Sequence, residues 1–313
     1  MITVADIEAA RERIAPYVRR TPIMEATLAR EPLPVSGSVV LKLELQQVTG
    51  SFKARGAMNR LLGASKDEIK AGIVTASGGN HGLAVARTAK VAGVPAVVYV
   101  PETVSPAKVD KMRGWDADVR VVGAEWSVSN EAAWAYARES GAAYFHPFAD
   151  PLVVAGQGTL GLELIEQVDV DTVVIAIGGG GLVAGMSTAI KAVRPNVRIV
   201  AVEPTGSPTI KASLDAGEVV TLAEVTSKVA TMSCRRTDER VFEIARRNIE
   251  EVVLVSDEEM LGASRWLWQE FGIAADLSGA ATTAALRSGH PTFADSRRIC
   301  AVVCGAGAEG TTP

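Results

Sequence analysis

The chain has 313 residues, 48% of them hydrophobic and 22% charged, with a net charge of -4 and a sequence pI of about 5.6. That length suits one large or two modest domains. The acidic balance excludes the clustered basic surface of a nucleic-acid binder, and basic pairs such as Arg19-Arg20 and Arg246-Arg247 read as solvated faces.

Three cysteines without framework spacing and three scattered histidines give neither a disulfide scaffold nor a paired metal-ligand motif, and no apolar run reaches membrane-spanning length. The start, Met1 to Asp6, lacks a basic stretch followed by an apolar one. The expectation is therefore a reduced, cytoplasmic setting.

In chain order, Ile7, Ala10, Ile14 and Val18 fall near one face of a helix, with Thr3-x-x-Asp6 as a capping-box pattern before it. Thr21-Pro22 ends that helix. Residues 39–45 predict a strand. The polar stretch Thr49 to Ala57 follows, with a helix predicted from about Ala54. Then strands at 73–75, 96–100, 119–122 and 143–145 alternate with helices at 83–91, 105–113 and 130–139. A second block gives a helix at 158–168, a fully apolar strand at 172–177, a helix at 182–193 and a strand at 197–202. Helices are predicted at 207–216, 237–248, 257–271 and 279–287, and a last strand at 298–303. Residues 218–236 have weak periodicity and receive no element. This rhythm implies an α/β fold of open, twisted, mostly parallel sheets flanked by helices. Domain breaks are expected near 48 and 150. They give a large domain from 1–47 plus 150–313 and a small mobile domain from 48–149.

Lys53 is a charged residue between Phe52 and Ala54. Burying an unpaired ammonium is costly. A lysine pressed into an apolar pocket sheds its proton more easily and becomes a nucleophilic amine. Alone, Lys53 reads more simply as a solvated lysine at a helix start; the glycine-rich turns reverse that balance.

Three such turns lie at predicted strand ends, where open α/β sheets bind ligands. Gly178, Gly179, Gly180 and Gly181 lead from a strand into a helix, and their bare amides make a dianion site. Val183 stands where the dinucleotide fingerprint needs its third glycine, and no Gly-Lys-Ser/Thr follows, so neither that motif nor a Walker loop is present. A packing turn is the plain alternative, at the cost of considerable backbone entropy. Ser77-Gly78-Gly79-Asn80-His81 offers a hydroxyl, an amide and bare backbone for a carboxylate or a phenolic oxygen, or simply a helix cap. Cys304-Gly305-Ala306-Gly307 puts a thiol at a strand end, where a free cysteine is also commonly a small buried hydrophobe. One ligand accounts for the lysine and all three turns. Pyridoxal 5'-phosphate needs an aldehyde-trapping lysine, a phosphate cradle, and partners for its ring hydroxyl and ring nitrogen.

Ser51 to Ala57, Ser77 to His81, His146-Pro147-Phe148-Ala149-Asp150-Pro151 with Ala155-Gly156-Gln157-Gly158-Thr159, and Gly178 to Leu182 together resemble the serine/threonine dehydratase (threonine ammonia-lyase) family. This is a fold type II, tryptophan synthase β-like group of pyridoxal-phosphate enzymes, and the likeness runs from about Ile7 to Gly307. The resemblance implies that Lys53 forms the Schiff base with the cofactor and later moves the Cα proton. It implies that Phe52 packs beside the cofactor, Asn80 bonds the ring hydroxyl, Gly178 to Gly181 cradle the phosphate and Cys304 faces the pyridine nitrogen. Ser77, with Gly78 and the backbone of Asn80 and His81, is then the substrate-carboxylate site. A neutral thiol supports a protonated pyridine less than an aspartate does, which favours prompt β-elimination. The implied activity is dehydration and deamination of L-threonine, L-serine or both to a 2-oxo acid and ammonia, by a homodimer whose partner is a small amino acid.

Several positions depart from the family pattern. Gly78 stands where racemases of the family place a serine, which predicts little racemisation. Asp276 replaces the usual glutamate. Glu203 fits the glutamate of a divalent-cation site, but Thr209 takes the second position, so no metal ligand is assigned and a divalent or monovalent cation stays open. Nothing after Pro313 corresponds to a regulatory domain, so feedback control by isoleucine is not expected. Arg235 and Arg236, if turned inward, would pair with the extra carboxylate of a substrate such as 3-hydroxyaspartate. A β-replacement synthase and a non-catalytic cofactor carrier are the remaining alternatives.

Overall fold

The computed structural model describes residues 1–311. Helix α1 (Val4–Ile14) starts as its capping box implies, the Thr3 side chain and the Asp6 side chain each taking the other's backbone N–H. It bridges two cores, with Ile7 and Ala10 in one and Ile14 in the other. Strands β1 (Ile23–Glu25) and β2 (Ser38–Lys42) follow. The strand expected to reach 45 stops at Lys42, because Glu44–Gln46 turns into a short 3-10 helix. Helix α2 (Lys53–Leu62) begins on the lysine itself.

The next segment builds a four-stranded parallel sheet. It contains β3 (Ile73–Ala76), α3 (Asn80–Ala92), β4 (Ala96–Val100), α4 (Pro106–Arg113), β5 (Asp118–Val121), α5 (Trp126–Ser140) and β6 (Ala143–Tyr144). Strand order is β5-β4-β3-β6. The chain then passes through α6 (Pro151–Gln167), β7 (Thr172–Ala176), α7 (Gly181–Val193), β8 (Arg198–Pro204), α8 (Thr209–Ala216), α9 (Glu239–Asn248), β9 (Glu251–Val255), α10 (Asp257–Phe271), α11 (Leu277–Arg287) and β10 (Arg298–Val302). These strands join the first two in a six-stranded sheet of order β1-β2-β10-β7-β8-β9, parallel except for β1.

Three further elements are corrections to the sequence reading. Helix α6 starts at Pro151 rather than 158, because Asp150 caps it, its carboxylate accepting the N–H of Leu152 at 2.8 Å. Its glycines are places of close packing, not breaks: a Cβ on Gly156 would lie 2.7 Å from the Gly56 Cα, and one on Gly158 2.9 Å from the Gly185 carbonyl oxygen. Strands β1 and β9 were not expected.

Each sheet reverses its strand order once. From β7 the chain adds β8 and β9 on one side, and β10 lies on the other. From β3 it adds β4 and β5 on one side, and β6 lies on the other. Ligands in open α/β sheets bind outside the carboxyl ends of strands at such reversals. The turns after β7, β10, β3 and β6 are therefore the places to look.

Candidate active site

Lys53 lies next to two of these turns. The backbone N–H of Phe52 bonds the Cys304 carbonyl, just after β10, at 3.2 Å. The Lys53 Nζ donates to the Pro147 carbonyl, just after β6, at 2.7 Å. It lies 5.0 Å from the centre of the Phe52 ring. Burial brings its pKa down to about 8, with Cys304 and Cys234 working weakly in the other direction. An amine that gives up its proton near neutrality is what the apolar neighbours of Lys53 in the sequence implied.

The turn after β7 is built from backbone. A Cβ on Gly179 would lie 2.1 Å from the Phe148 ring, one on Gly178 2.7 Å from the Thr231 carbonyl oxygen, and one on Gly181 2.8 Å from that of Phe148. Gly180 has φ +93°, a left-handed conformation that favours glycine. The amides of this turn lead into the N-terminus of α7, which favours an anion. Phe148 follows Pro147 in the chain, so one short segment touches both the lysine amine and the glycine turn.

The turn after β3 carries side chains. The Ser77 hydroxyl accepts the Gly79 N–H at 3.3 Å, and Asn80 opens α3. The Asn80 amide donates to the Asp276 carboxylate at 2.8 Å, joining the end of the small sheet to the N-cap of α11. His81 Nε2 lies 3.0 Å from the Phe145 carbonyl. A carbonyl only accepts, so Nε2 carries the proton and Nδ1 is bare. Burial, and secondarily Lys53, holds the His81 pKa down to about 3. His146 is likewise held at about 4, chiefly by burial. Both rings are neutral neighbours of the lysine. Gly78 has no room for a side chain, because a Cβ there would lie 2.1 Å from Val104 Cγ2.

Cys304 is buried, and its thiol donates to the Ser278 carbonyl at 3.4 Å. Burial raises its pKa far above the ordinary thiol range, so it stays neutral. Asp276 is also buried, and that raises its pKa, while bonds from Ser278, Asn80 and the Gly279 N–H pull the other way.

These residues fit pyridoxal 5'-phosphate. Thr49 Oγ1, Ser51 Oγ and His81 Nδ1 are buried without a hydrogen-bond partner among the described residues, which is unusual unless a polar group completes them. Thr49, a β-branched residue, is held at φ 65° just before the lysine, as strained residues often are at binding sites. The glycine turn excludes every side chain while leaving its backbone amides for a phosphate.

The structure also adds residues that the sequence reading left without a role: Pro147, Phe148, Thr231 and Thr237. Thr237 donates its hydroxyl to the Gly179 carbonyl at 3.0 Å. Thr231 and Thr237 belong to the irregular run between α8 and α9, which packs against the glycine turn. Long structureless segments in compact proteins are commonly functional, and that length was the available signal. Arg235 in the same run spends its guanidinium on the carbonyls of Leu222 and Ala223, at 2.9 and 2.8 Å. Arg236 bonds Thr221 and Glu239, at 3.1 and 2.7 Å. The Glu203 carboxylate caps α8, accepting the N–H groups of Ile210 and Lys211 at 2.8 and 2.9 Å. Among the described residues no group of three or more His, Cys, Asp or Glu side chains is arranged to hold a metal ion, and no helix is long and apolar enough to cross a membrane.

A family model described as pyridoxal-phosphate dependent enzyme matches residues 14–305. The chain is 36% identical over 287 residues to an L-threonine ammonia-lyase of Thermotoga maritima, covering 91% of this chain and 71% of that one. It is 34% identical over 315 residues to a catabolic L-threonine dehydratase of Staphylococcus aureus, covering 99% of this chain and 90% of that one. Among solved structures, maize serine racemase matches with a TM-score of 0.92 at 31% identity, over 97% of this chain and 93% of that one. A T.th. threonine deaminase matches with a TM-score of 0.90 at 36% identity, over 97% of this chain and 98% of that one.

Proposed function

This chain belongs to the pyridoxal-phosphate dependent enzymes, and from that premise we propose that it is an ammonia-lyase that dehydrates and deaminates L-threonine and L-serine. The observation that carries the reading is the Lys53 amine, with its pKa lowered to about 8 and its Nζ 2.7 Å from Pro147, the residue next to the Phe148 that covers the four-glycine turn.

The cofactor, when bound, supplies an aldehyde that condenses with amines and a ring that draws electrons from Cα. Gly178 to Gly181 hold its phosphate through backbone N–H groups at the start of α7. Asn80, steadied by Asp276, would bond its ring hydroxyl, Phe52 would pack beside it, and the neutral Cys304 thiol would serve its ring nitrogen. Lys53, with its pKa lowered to about 8, gives up its proton more readily than an exposed lysine and takes the Cα proton of the substrate. The Pro147 carbonyl holds that amine in place when it is free. Ser77, with the bare backbone of Gly78 and the first N–H groups of α3 at Asn80 and His81, holds the substrate carboxylate. Breaking the Cα–H and Cβ–O bonds releases water and leaves an enamine, which hydrolyses in water to the 2-oxo acid and ammonia.

The likeness to serine racemase raises racemisation as a second reading. Racemisation needs a proton donor on the opposite face of Cα. Gly78 has none, and Val104 fills the space where its side chain would go. The proposal includes a homodimer in the cytoplasm and a small mobile unit, 48–149, that carries Ser77 to His81 over a larger unit, 1–47 plus 150–313. The separate apolar cores of the two sheets support that division, although α1 bridges them by placing Ile14 in the smaller core.

The test is 2-oxo acid release from the yellow, cofactor-loaded protein given L-threonine, L-serine, D-serine or 3-hydroxyaspartate. Release from L-threonine or L-serine is expected. Release from 3-hydroxyaspartate alone would overturn the substrate assignment, and it would be surprising given how Arg235 and Arg236 are engaged.

A further inference from the structure

Among the described residues the largest fully buried side chain is Arg55, two residues after Lys53 in the first turn of α2. Its guanidinium forks onto Glu44, with Nε 2.6 Å from Oε1 and Nη2 3.0 Å from Oε2. Nη2 also reaches Glu163 at 2.9 Å, and Nη1 reaches the Thr159 hydroxyl at 3.3 Å. Glu163 in turn accepts from Lys42 Nζ at 2.6 Å. Two cations and two anions are thus held inside the protein with their bonds met. They tie the first turn of α2 to β2, to the turn after it and to α6. The other face of α2, through Ala57, Met58 and Leu61, lies in the core of the four-stranded sheet.

Stability alone is a poor explanation for such a cluster. Buried ion pairs often contribute no more than well-packed apolar side chains would. What a fork of short, charged bonds does supply is register, because it tolerates little sliding or rotation. Register matters here for a reason visible in the packing. Helix α2 rests on α6 through Gly56 and Gly156, and α6 rests on α7 through Gly158 and Gly185. Helix α7 starts at Gly181, the last residue of the glycine turn. The lysine and the turn are therefore the two ends of one tightly packed stack of three helices.

We propose that Arg55 is a positioning residue, which locks the first turn of α2 against α6 so that the Lys53 amine meets the cofactor held by the glycine turn. The proposal rests on the reading that Lys53 captures pyridoxal 5'-phosphate.

The experiment uses cofactor-free protein and two ligands. Pyridoxamine 5'-phosphate has the phosphate and ring but no aldehyde, so it reports the cradle alone. Pyridoxal 5'-phosphate also reports capture by Lys53, through its visible absorbance. Arg55→Lys keeps a buried positive charge and loses the fork. It is expected to bind pyridoxamine 5'-phosphate within about threefold of the parent, yet to capture the aldehyde at least about tenfold more slowly, as misplaced reacting groups do. Lys42→Met disturbs the same cluster from the β2 side without touching α2. It is expected to lower the melting temperature and leave the capture rate at the parental value. Parental capture by Arg55→Lys would overturn the proposal. So would parallel loss of both ligands, which marks a structural role only, or equal slowing by Lys42→Met. Failure of the parent itself to capture the aldehyde would instead sink the cofactor reading on which the proposal stands.

Discussion

At the reversal of the six-stranded sheet, the turn after β7 is four glycines packed against Phe148 and Thr231, with nothing to titrate and no room for a methyl group. At the reversal of the four-stranded sheet, the turn after β3 carries Ser77, Asn80 and His81, with a hydroxyl, an amide and an imidazole. Both feed a helix N-terminus, so both attract anions. The difference lies in what each can discriminate. Bare amides in a fixed cradle suit a constant group, the cofactor phosphate, and lose affinity through any side chain. Side chains suit groups told apart by their own donors and acceptors, on the proposed reading the substrate carboxylate at Ser77 and the cofactor ring hydroxyl at Asn80, and can be altered one at a time. Lys53 sits between the two, touched by the turns that follow β10 and β6.

The largest effect is expected at the seam itself. Lys53→Ala should lower turnover by more than about a thousandfold, since it removes both the capturing amine and the base, and should abolish the visible absorbance of the bound cofactor. Retained turnover would place the chemistry elsewhere and end the comparison. In the parent, capture of pyridoxal 5'-phosphate should speed up with rising pH around a midpoint near 8. The same shift makes a stability prediction. The folded amine loses its proton below the unfolded lysine, so between the two pKa values the unfolded chain binds more protons. Stability of the cofactor-free protein should therefore rise with pH through that window.

The next largest effect belongs to the glycine side. Gly179→Ala forces a methyl group into the Phe148 ring. Overpacking of this kind costs about 1–3 kcal/mol, read here as cofactor affinity weakened by roughly ten- to a hundredfold with a lower melting temperature. The substrate KM at saturating cofactor should change much less. Ser77→Ala should do the reverse. Losing one hydrogen bond to a carboxylate costs about 1.5 kcal/mol, so the KM for L-serine should rise roughly tenfold while cofactor affinity holds. If both variants moved both constants together, the division of labour between the two turns would be wrong.

The glycine turn, the lysine and the βα alternation were legible because each is written in consecutive residues with a local meaning: apolar strand, bare turn, helix. The element bounds that failed did so where tertiary packing overrides that local meaning. Gly156 and Gly158 look like helix breakers in α6, yet they let α2 and α7 approach its backbone. Strand β1 has only three residues and depends on pairing with β2. The 218–236 run lacks periodicity because it forms neither helix nor strand, and only its later part, at Thr231, packs against the glycine turn. Pro147 acts through its carbonyl, and Arg55 through partners 11 and 108 positions away. No pattern of spacing in the sequence announces contacts of that kind.

The smallest expected effect tests the bond that ties the turn after β3 to the N-cap of α11. One oxygen of Asp276 accepts the Ser278 hydroxyl at 2.7 Å and the Gly279 N–H, capping α11. The other accepts the Asn80 amide at 2.8 Å. An asparagine there has a single acceptor, so Asp276→Asn must give up either the cap or the bond to Asn80. Asparagine is a good N-cap, and the cap oxygen has two donors to satisfy, so the bond to Asn80 is the one lost. Asn80 then turns more freely, and cofactor affinity should fall by only about threefold, because the phosphate cradle is untouched. The pH sign is separate. The Asp276 pKa is raised in the folded protein, so the fold binds a proton there more readily than the unfolded chain does. Its ionisation works against stability as pH rises through that window. The variant should flatten the part of the melting-temperature profile that lies above the ordinary carboxylate range. An unchanged profile together with unchanged affinity would mean that Asn80 keeps its place without this bond, held by its own turn alone.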